Sequence, residues 1–236
     1  VSIEEVRAQV ARAAILLDFD GTLAPIVADP AAARPLPEAP GVLTRLAERA
    51  AAVAVISGRP EAFIRSVLDA PTVEVIGLYG LADAPPLAGD VLNAIRDLAT
   101  TEPGAEVEDK RVSVALHVRR TADPDAAADR LLPPMEAIAA AHGLAAFVGK
   151  RVIEIAPLGS RKRAAVAGVL TRVQPDAALY AGDDLEDVEA FAALDDAGVP
   201  ACRVAVRGSE TPERLVEVAD VHVEGPVALL DLLRSL

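Results

Sequence analysis

AILLDFDGTL, residues 14–23, is an apolar run that stops on two carboxylates. Residues 14–17 are short and apolar enough for a strand buried on both faces, which is the habit of a parallel sheet covered by helices. Asp18 and Asp20, one residue apart at its end, project toward the same end of that sheet. Their repulsion favours a bound divalent cation, and ligands that are all oxygen select magnesium. Gly21 permits a tight turn directly after Asp20. A bare pair of this kind also reads as solvated acids in a turn, so the rest of the chain must decide.

Outward from this stretch, short apolar runs alternate with helical patterns. Strands are expected at 52–56, 73–78, 177–181, 203–206 and 221–223, and helices at 41–50, from 61, 161–173, 188–194 and 227–233. The middle differs: helix patterns at 90–99 and 123–142 flank alternating strands at 111–118 and 151–155, as in a half-exposed antiparallel sheet. Pro85–Pro86 and Pro157 mark joints. The expected architecture is α/β: a Rossmann-like parallel-sheet core from 1–82 and 158–236, with an α+β cap inserted at 83–157. Residues 29–40, rich in Pro and Ala, read as a rigid extended loop.

Composition narrows the function. The 236 residues carry 36 acids against 23 bases, a formal net charge of −13. That balance repels nucleic acid and anionic membranes, so neither is an expected partner. It repels phosphorylated ligands as well, so phosphate chemistry requires a local cation. Only three lysines exist, Lys110, Lys150 and Lys162. Cys202 is the single cysteine, which rules out an internal disulfide and a thiolate metal cluster. No apolar run reaches the length of a membrane span, and the charged opening VSIEEVRAQVARAA is unlike a signal peptide, so a cytoplasmic protein is expected.

Three further clusters follow expected strands or open helices. Ser57-Gly58-Arg59 after AVAVI offers a hydroxyl and backbone N–H groups at a helix start, a natural phosphate cradle. Lys162 opens the helix in GSRKRAAV. Gly182-Asp183-Asp184-Leu185-Glu186-Asp187 follows AALYA and crowds four acids into five positions, which solvent or a cation must neutralise.

DFDGT, Ser57, Lys162 and GDD with a following acid, in this order, resemble the haloacid dehalogenase superfamily of phosphohydrolases. The resemblance implies that Asp18 is the nucleophile, that Asp20 is acid then base, and that Thr22 positions Asp20. Ser57 and Lys162 would hold the phosphoryl oxygens. Asp18, the Asp20 carbonyl and Asp183 would hold Mg2+, with Asp187 and Asp184 outside them. From about residue 16 to 191 the chain is similar to the trehalose-6-phosphate phosphatase family: DFDGTLAPIVADPAAARPLPEA, GLYGLA, EDKRVSVALHVR, GKRVIEIAPLGSRK and YAGDDLEDVEAF all resemble its segments. Carried over, Glu108, Lys110, Glu154 and Lys150 would bind sugar hydroxyls, and Arg59 would lie near the phosphate or sugar, while His117 reads as structural. The family usually has His where Tyr79 stands, Glu where Ala82 stands, and Gly where Arg163 stands; Arg163 adds bulk and charge beside Lys162. A trehalose-phosphate synthase is the protein partner the resemblance brings into view. Rival readings are a phosphatase of the same cap class acting on glucosyl- or mannosyl-3-phosphoglycerate or sucrose phosphate, and a catalytically silent sugar-phosphate-binding protein.

Overall fold

The computed structural model describes residues 2–81, 85–157 and 161–236. The chain divides into two compact units, Val1–Gly80 with Ser160–Leu236, and Leu81–Gly159. The first unit begins with α1 (Ile3–Ala8), β1 (Ala13–Leu17), α2 (Ala39–Ala47), β2 (Ala52–Ile56), α3 (Glu61–Val67) and β3 (Glu74–Ile76). The second holds α4 (Gly89–Ala99), β4 (Glu106–Asp109), β5 (Val114–His117), α5 (Pro124–Ala141), β6 (Leu144–Gly149) and β7 (Val152–Pro157). The chain returns to the first unit as α6 (Arg161–Val173), β8 (Ala177–Gly182), α7 (Leu185–Ala197), β9 (Ala201–Arg207), α8 (Glu213–Val218), β10 (Val221–Glu224) and α9 (Gly225–Arg234).

The first unit is the parallel sheet that its apolar runs predict, in the order β10-β9-β8-β1-β2-β3. All five residues of β1 are buried. Alternation along the strand sorts them: Ala13, Ile15 and Leu17 pack with Val42, Leu43 and Leu46 of α2 and Leu229, Leu230 and Leu233 of α9. Ala14 and Leu16 pack on the other side with Val166 and Val169 of α6 and Phe191 and Leu194 of α7. With both faces covered by helices, β1 has no reason to alternate polar and apolar residues. Strand order runs outward from β1 to β3 on one side and from β8 to β10 on the other, so β1 and β8 border the point where direction reverses. Ligands of open α/β sheets bind beyond the strand ends at such a point. Cys202 is buried in β9 and its thiol is pushed up to about 11 by that burial.

Several boundaries differ from expectation. The 29–40 loop contains a short 3-10 turn at Pro30–Ala32, where the Asp29 carboxylate accepts the Ala31 N–H, and α2 already begins at Ala39. β3 stops at Ile76 because Gly77–Gly80 forms a turn in which Leu78 and Tyr79 have φ of 50° and 52°. Left-handed backbone at two non-glycine residues is unfavourable. It is held here by N–H bonds from Leu78 to the Arg59 carbonyl and from Tyr79 to the Ser57 carbonyl. α7 starts at Leu185 rather than 188 because Asp184 caps it and Asp187 completes a capping box.

In the second unit the sheet order is β4-β5-β7-β6, antiparallel throughout. Val91 and Ile95 of α4 and Leu131 and Met135 of α5 pack on Val114, Leu116, Ile153 and Ile155 of the strands. β4 and β6, absent from the expected strands, are the two edges, where one-sided burial leaves a weak pattern. The joint expected at 82/83 falls outside the described residues, and the one expected at 157/158 falls where β7 ends at Pro157, with residue 158 outside them. Among the described residues no helix is long and apolar enough to cross a membrane.

Candidate active site

Asp18 continues β1 into the crevice, its N–H bonded to the Ala181 carbonyl of β8 at 2.9 Å. Asp18 is 6% exposed, and its carboxylate accepts from Lys162 Nζ at 3.0 Å. The same ammonium donates to Asp187 Oδ1 at 2.5 Å. Asp18, Asp183 and Asp187 are all buried, and each offers a carboxylate oxygen within 4.8 Å of the others. Burial raises the Asp18 pKa well above the usual carboxylate range; Lys162 pulls it down, while Asp187, Asp183 and Asp20 push it further up. Burial works against charge on Lys162, yet Asp18 and Asp187 outweigh it and keep the ammonium protonated. Three buried carboxylates against one buried ammonium leave the pocket short of positive charge.

Asp187 is fully engaged from the protein side. Oδ1 accepts from Lys162 and from the Tyr180 hydroxyl at 2.7 Å, and Oδ2 accepts the N–H groups of Asp183 and Asp184, both at 2.8 Å. Its carboxylate lies where a Cβ on Gly182 would stand, 2.1 Å from Asp187 Cγ. Tyr180 is the residue contacting the site that sequence reading misses: inside the buried run AALYA nothing distinguishes its hydroxyl from a packing group. Asp183 presses likewise on Gly21, whose φ is 79° and whose added Cβ would lie 2.0 Å from Asp183 Oδ2. Gly21→Ala is therefore expected to cost about 2–5 kcal/mol, through backbone strain and overpacking together. Urea unfolding measures this; a loss below about 1 kcal/mol would mean that Asp183 is not held against residue 21.

The remaining core candidates stand nearby in the chain's first unit. Asp20 accepts two bonds from Arg59, at 2.6 Å from Nε and 2.8 Å from Nη2. Ser57 is buried, and its Oγ accepts the Arg59 N–H at 3.2 Å. Thr22 is fully buried, yet its Oγ1 has no hydrogen-bond partner among the described residues. Such an orphan is costly unless a ligand or a moving side chain completes it. Tyr79 lies over Gly58, with its ring centroid 6.0 Å from Lys162 Nζ. Arg163, expected to crowd Lys162, instead reaches Asp196 at 2.6 Å and Glu189 at 3.5 Å on α7, half-exposed. Ala82 lies outside the described residues.

In the second unit, Glu108, Ala115 and Glu154 form one cross-strand row. Lys110 Nζ lies 3.3 Å from Glu154 and 4.0 Å from Glu108, and His117 Nε2 lies 2.9 Å from Glu108. The His117 hydrogen bond, followed by Lys110, holds the Glu108 pKa below the usual range despite partial burial. Lys150 sits in the turn joining β6 and β7, beside Arg151 with φ of 57°. The structure thus gathers Glu108, Lys110 and Glu154 into one polar cluster and places Lys150 in the hairpin turn.

The family profile described as trehalose-phosphatase matches residues 16–218. The trehalose-phosphate phosphatase of Mycobacterium avium (strain 104) is 33% identical over 231 residues, covering 85% of this chain and 56% of that protein. The chain spans about half the length of the curated relatives it matches. Among solved structures, the C-terminal domain of Candida albicans trehalose-6-phosphate phosphatase superposes with a TM-score of 0.83 at 24% identity, covering 98% of this chain and 93% of that one. A phosphatase of the haloalkanoate (HAD) superfamily from Bacteroides thetaiotaomicron gives 0.64 at 14% identity, covering 97% and 96%. At such identities the likeness is one of fold, and the fold is the α/β parallel sheet that the sequence predicts. With the profile matched over most of its length and the motif acids gathered at the ends of β1 and β8, the chain belongs to the trehalose-phosphatase family.

Proposed function

We propose that this chain is a magnesium-dependent phosphatase that converts trehalose 6-phosphate to trehalose and phosphate through an aspartyl-phosphate on Asp18. The observation that carries the reading is the Asp18 carboxylate, buried and held 3.0 Å from Lys162 at the mouth of the sheet. A carboxylate fixed by a cation at the end of a strand is a nucleophile poised for phosphoryl transfer.

An oxygen of Asp18 attacks phosphorus as the P–O bond to the sugar breaks, and Asp20 gives its proton to the departing alkoxide. Water then attacks the aspartyl-phosphate, losing its proton to Asp20, and Asp18 is regenerated with release of phosphate. Lys162 spends two of its three donors on Asp18 and Asp187, so the third serves a phosphoryl oxygen together with Ser57. Thr22, with its hydroxyl unpartnered among the described residues, is the group to help position Asp20. The residues fit a hard divalent cation: the carboxylates of Asp18 and Asp183 and the Asp20 carbonyl would hold Mg2+, with Asp187 behind them, its oxygens already engaged. When bound, the ion neutralises charge on the transferring phosphoryl group.

The second unit acts as a cap in this proposal. Glu108, Lys110, Glu154 and Lys150 combine acceptors and donors suited to a polyhydroxylated sugar. A cytoplasmic location belongs to the same proposal, as does a trehalose-phosphate synthase as the source of substrate. Phosphate release from trehalose 6-phosphate, glucose 6-phosphate, sucrose 6-phosphate and glucosyl-3-phosphoglycerate, with magnesium and with EDTA, tests the reading. Magnesium-dependent release confined to trehalose 6-phosphate supports it. Release from another glycosyl phosphate alone keeps the chemistry and moves the substrate, and no release from any overturns it.

A further inference from the structure

Arg59 follows Ser57 in a motif that sequence reading assigns to phosphate or sugar, yet its side chain is committed elsewhere. Nε and Nη2 grip the two oxygens of Asp20 side-on, at 2.6 and 2.8 Å, across 39 residues of chain. Nη1 donates to the Pro30 carbonyl at 2.7 Å. The guanidinium lies 4.4 Å from the Phe63 ring centroid, and Phe63 in turn packs edge-on against Phe19 at 6.4 Å. Phe19 is the buried residue between the two catalytic acids. The backbone of Arg59 is fixed as well: its N–H bonds to Ser57 Oγ, and its carbonyl accepts from the left-handed Leu78. Arg59 is thus anchored on every side before any substrate arrives.

Asp20 is anchored far less. Its side chain is 34% exposed, against 18% for Arg59, so packing alone does not choose its orientation. A proton donor must present one oxygen within hydrogen-bond reach of the leaving atom. Arginine's planar fork is suited to fixing the plane of a carboxylate, because two parallel bonds define both position and rotation. We propose that Arg59 is a positioning residue for Asp20, setting the carboxyl that serves the leaving group rather than gripping the substrate. This rests on the phosphatase reading above, and it goes beyond that reading by removing Arg59 from the ligand-binding set.

The chemistry supplies a readout that a general structural role would not move. When a sugar ester reacts, the P–O bond to the alkoxide breaks, its electron pair goes to the leaving oxygen, and that oxygen takes the Asp20 proton. The proton is carried on an oxygen lone pair that the guanidinium fork leaves open, so that Asp20 is left as the carboxylate that Arg59 grips. When p-nitrophenyl phosphate reacts, the departing phenolate is stable without that proton, while the bond from Asp18 to phosphorus forms in the same way. Loss of Asp20 orientation therefore penalises the alkyl ester selectively. A lost phosphate contact would penalise both esters alike, and a lost sugar contact would penalise the sugar ester through KM rather than kcat.

The test is kcat/KM of wild type, Arg59→Met and Arg59→Lys on trehalose 6-phosphate and on p-nitrophenyl phosphate, with saturating magnesium. kcat/KM covers only the steps through transfer to Asp18, so later hydrolysis does not blur it. In Arg59→Met the alkyl-to-aryl ratio is expected to fall about 10²-fold, the scale of one proton-transfer catalyst, with the change in kcat rather than KM. Arg59→Lys keeps the charge without the fork, and its ratio is expected to fall about 10-fold. Thermal melting confirms folding, and the lysine variant carries the test if the methionine variant unfolds. Equal losses on both esters, or a rise in KM alone, would overturn the proposal and return Arg59 to the substrate. If wild type cleaves only a different sugar phosphate, that ester replaces the alkyl arm and the same ratio decides. A wild type that cleaves no phosphate ester overturns the phosphatase reading and this role with it.

Discussion

Asp18→Asn is expected to lower magnesium-dependent phosphate release by about 10⁴-fold or more while the protein stays folded. The amide keeps the shape of the carboxylate and removes the oxygen proposed to attack phosphorus. Lys162 loses one anionic partner but keeps Asp187 at 2.5 Å, so the ammonium remains in place. The substitution also removes one of the three carboxylates crowded at the ends of β1 and β8. Without magnesium, melting of the variant is therefore expected at or above the wild-type temperature, and added magnesium should stabilise it less than wild type. Activity within tenfold of wild type would show that Asp18 forms no covalent intermediate.

Lys162→Met carries the opposite signature. It withdraws the only cation bonded to Asp18 and Asp187 among the described contacts, leaving buried carboxylates without a counter-charge. Breaking a buried pair by removing one partner costs about 3–5 kcal/mol, since the other charge stays desolvated. Phosphate release is expected to fall about 10²–10³-fold or more, as for loss of one donor aimed at developing charge. Urea unfolding with and without magnesium measures the stability part, and magnesium should recover a larger share of stability in the variant than in wild type. Identical urea midpoints for both proteins would mean that this ammonium does not offset the carboxylates.

The core of this arrangement is readable in the chain because β1, β2 and β8 are apolar on both faces, so their ends coincide with the first polar residues. The ends of β2, Ala52 and Ile56, emerge unchanged for that reason. What spacing alone does not carry is how each acid is engaged. Asp183, Asp184 and Asp187 look alike as a cluster, and only the position of the helix start separates them. With α7 beginning at Leu185, Asp184 becomes a cap and Asp187 turns back to accept four donors. The Arg59–Asp20 grip is invisible for a similar reason, because it joins loops that meet only in the folded sheet. Tyr180 hides inside a strand whose burial is complete. The edge strands β4 and β6 escape because a sheet edge needs little apolar alternation to form.

Covalent transfer to Asp18 is tested by looking for the phosphoryl group on the chain itself. Asp20→Asn protein, mixed with magnesium and p-nitrophenyl phosphate, is acid-quenched, digested and analysed by peptide mass spectrometry. With an activated leaving group the first transfer needs no acid, whereas hydrolysis of the intermediate needs the base that this variant lacks. One phosphoryl group is expected on the peptide containing Asp18, absent when Asp18 is also replaced by Asn. p-Nitrophenol release with no phosphoryl group on that peptide, or with the group on another residue, would contradict it.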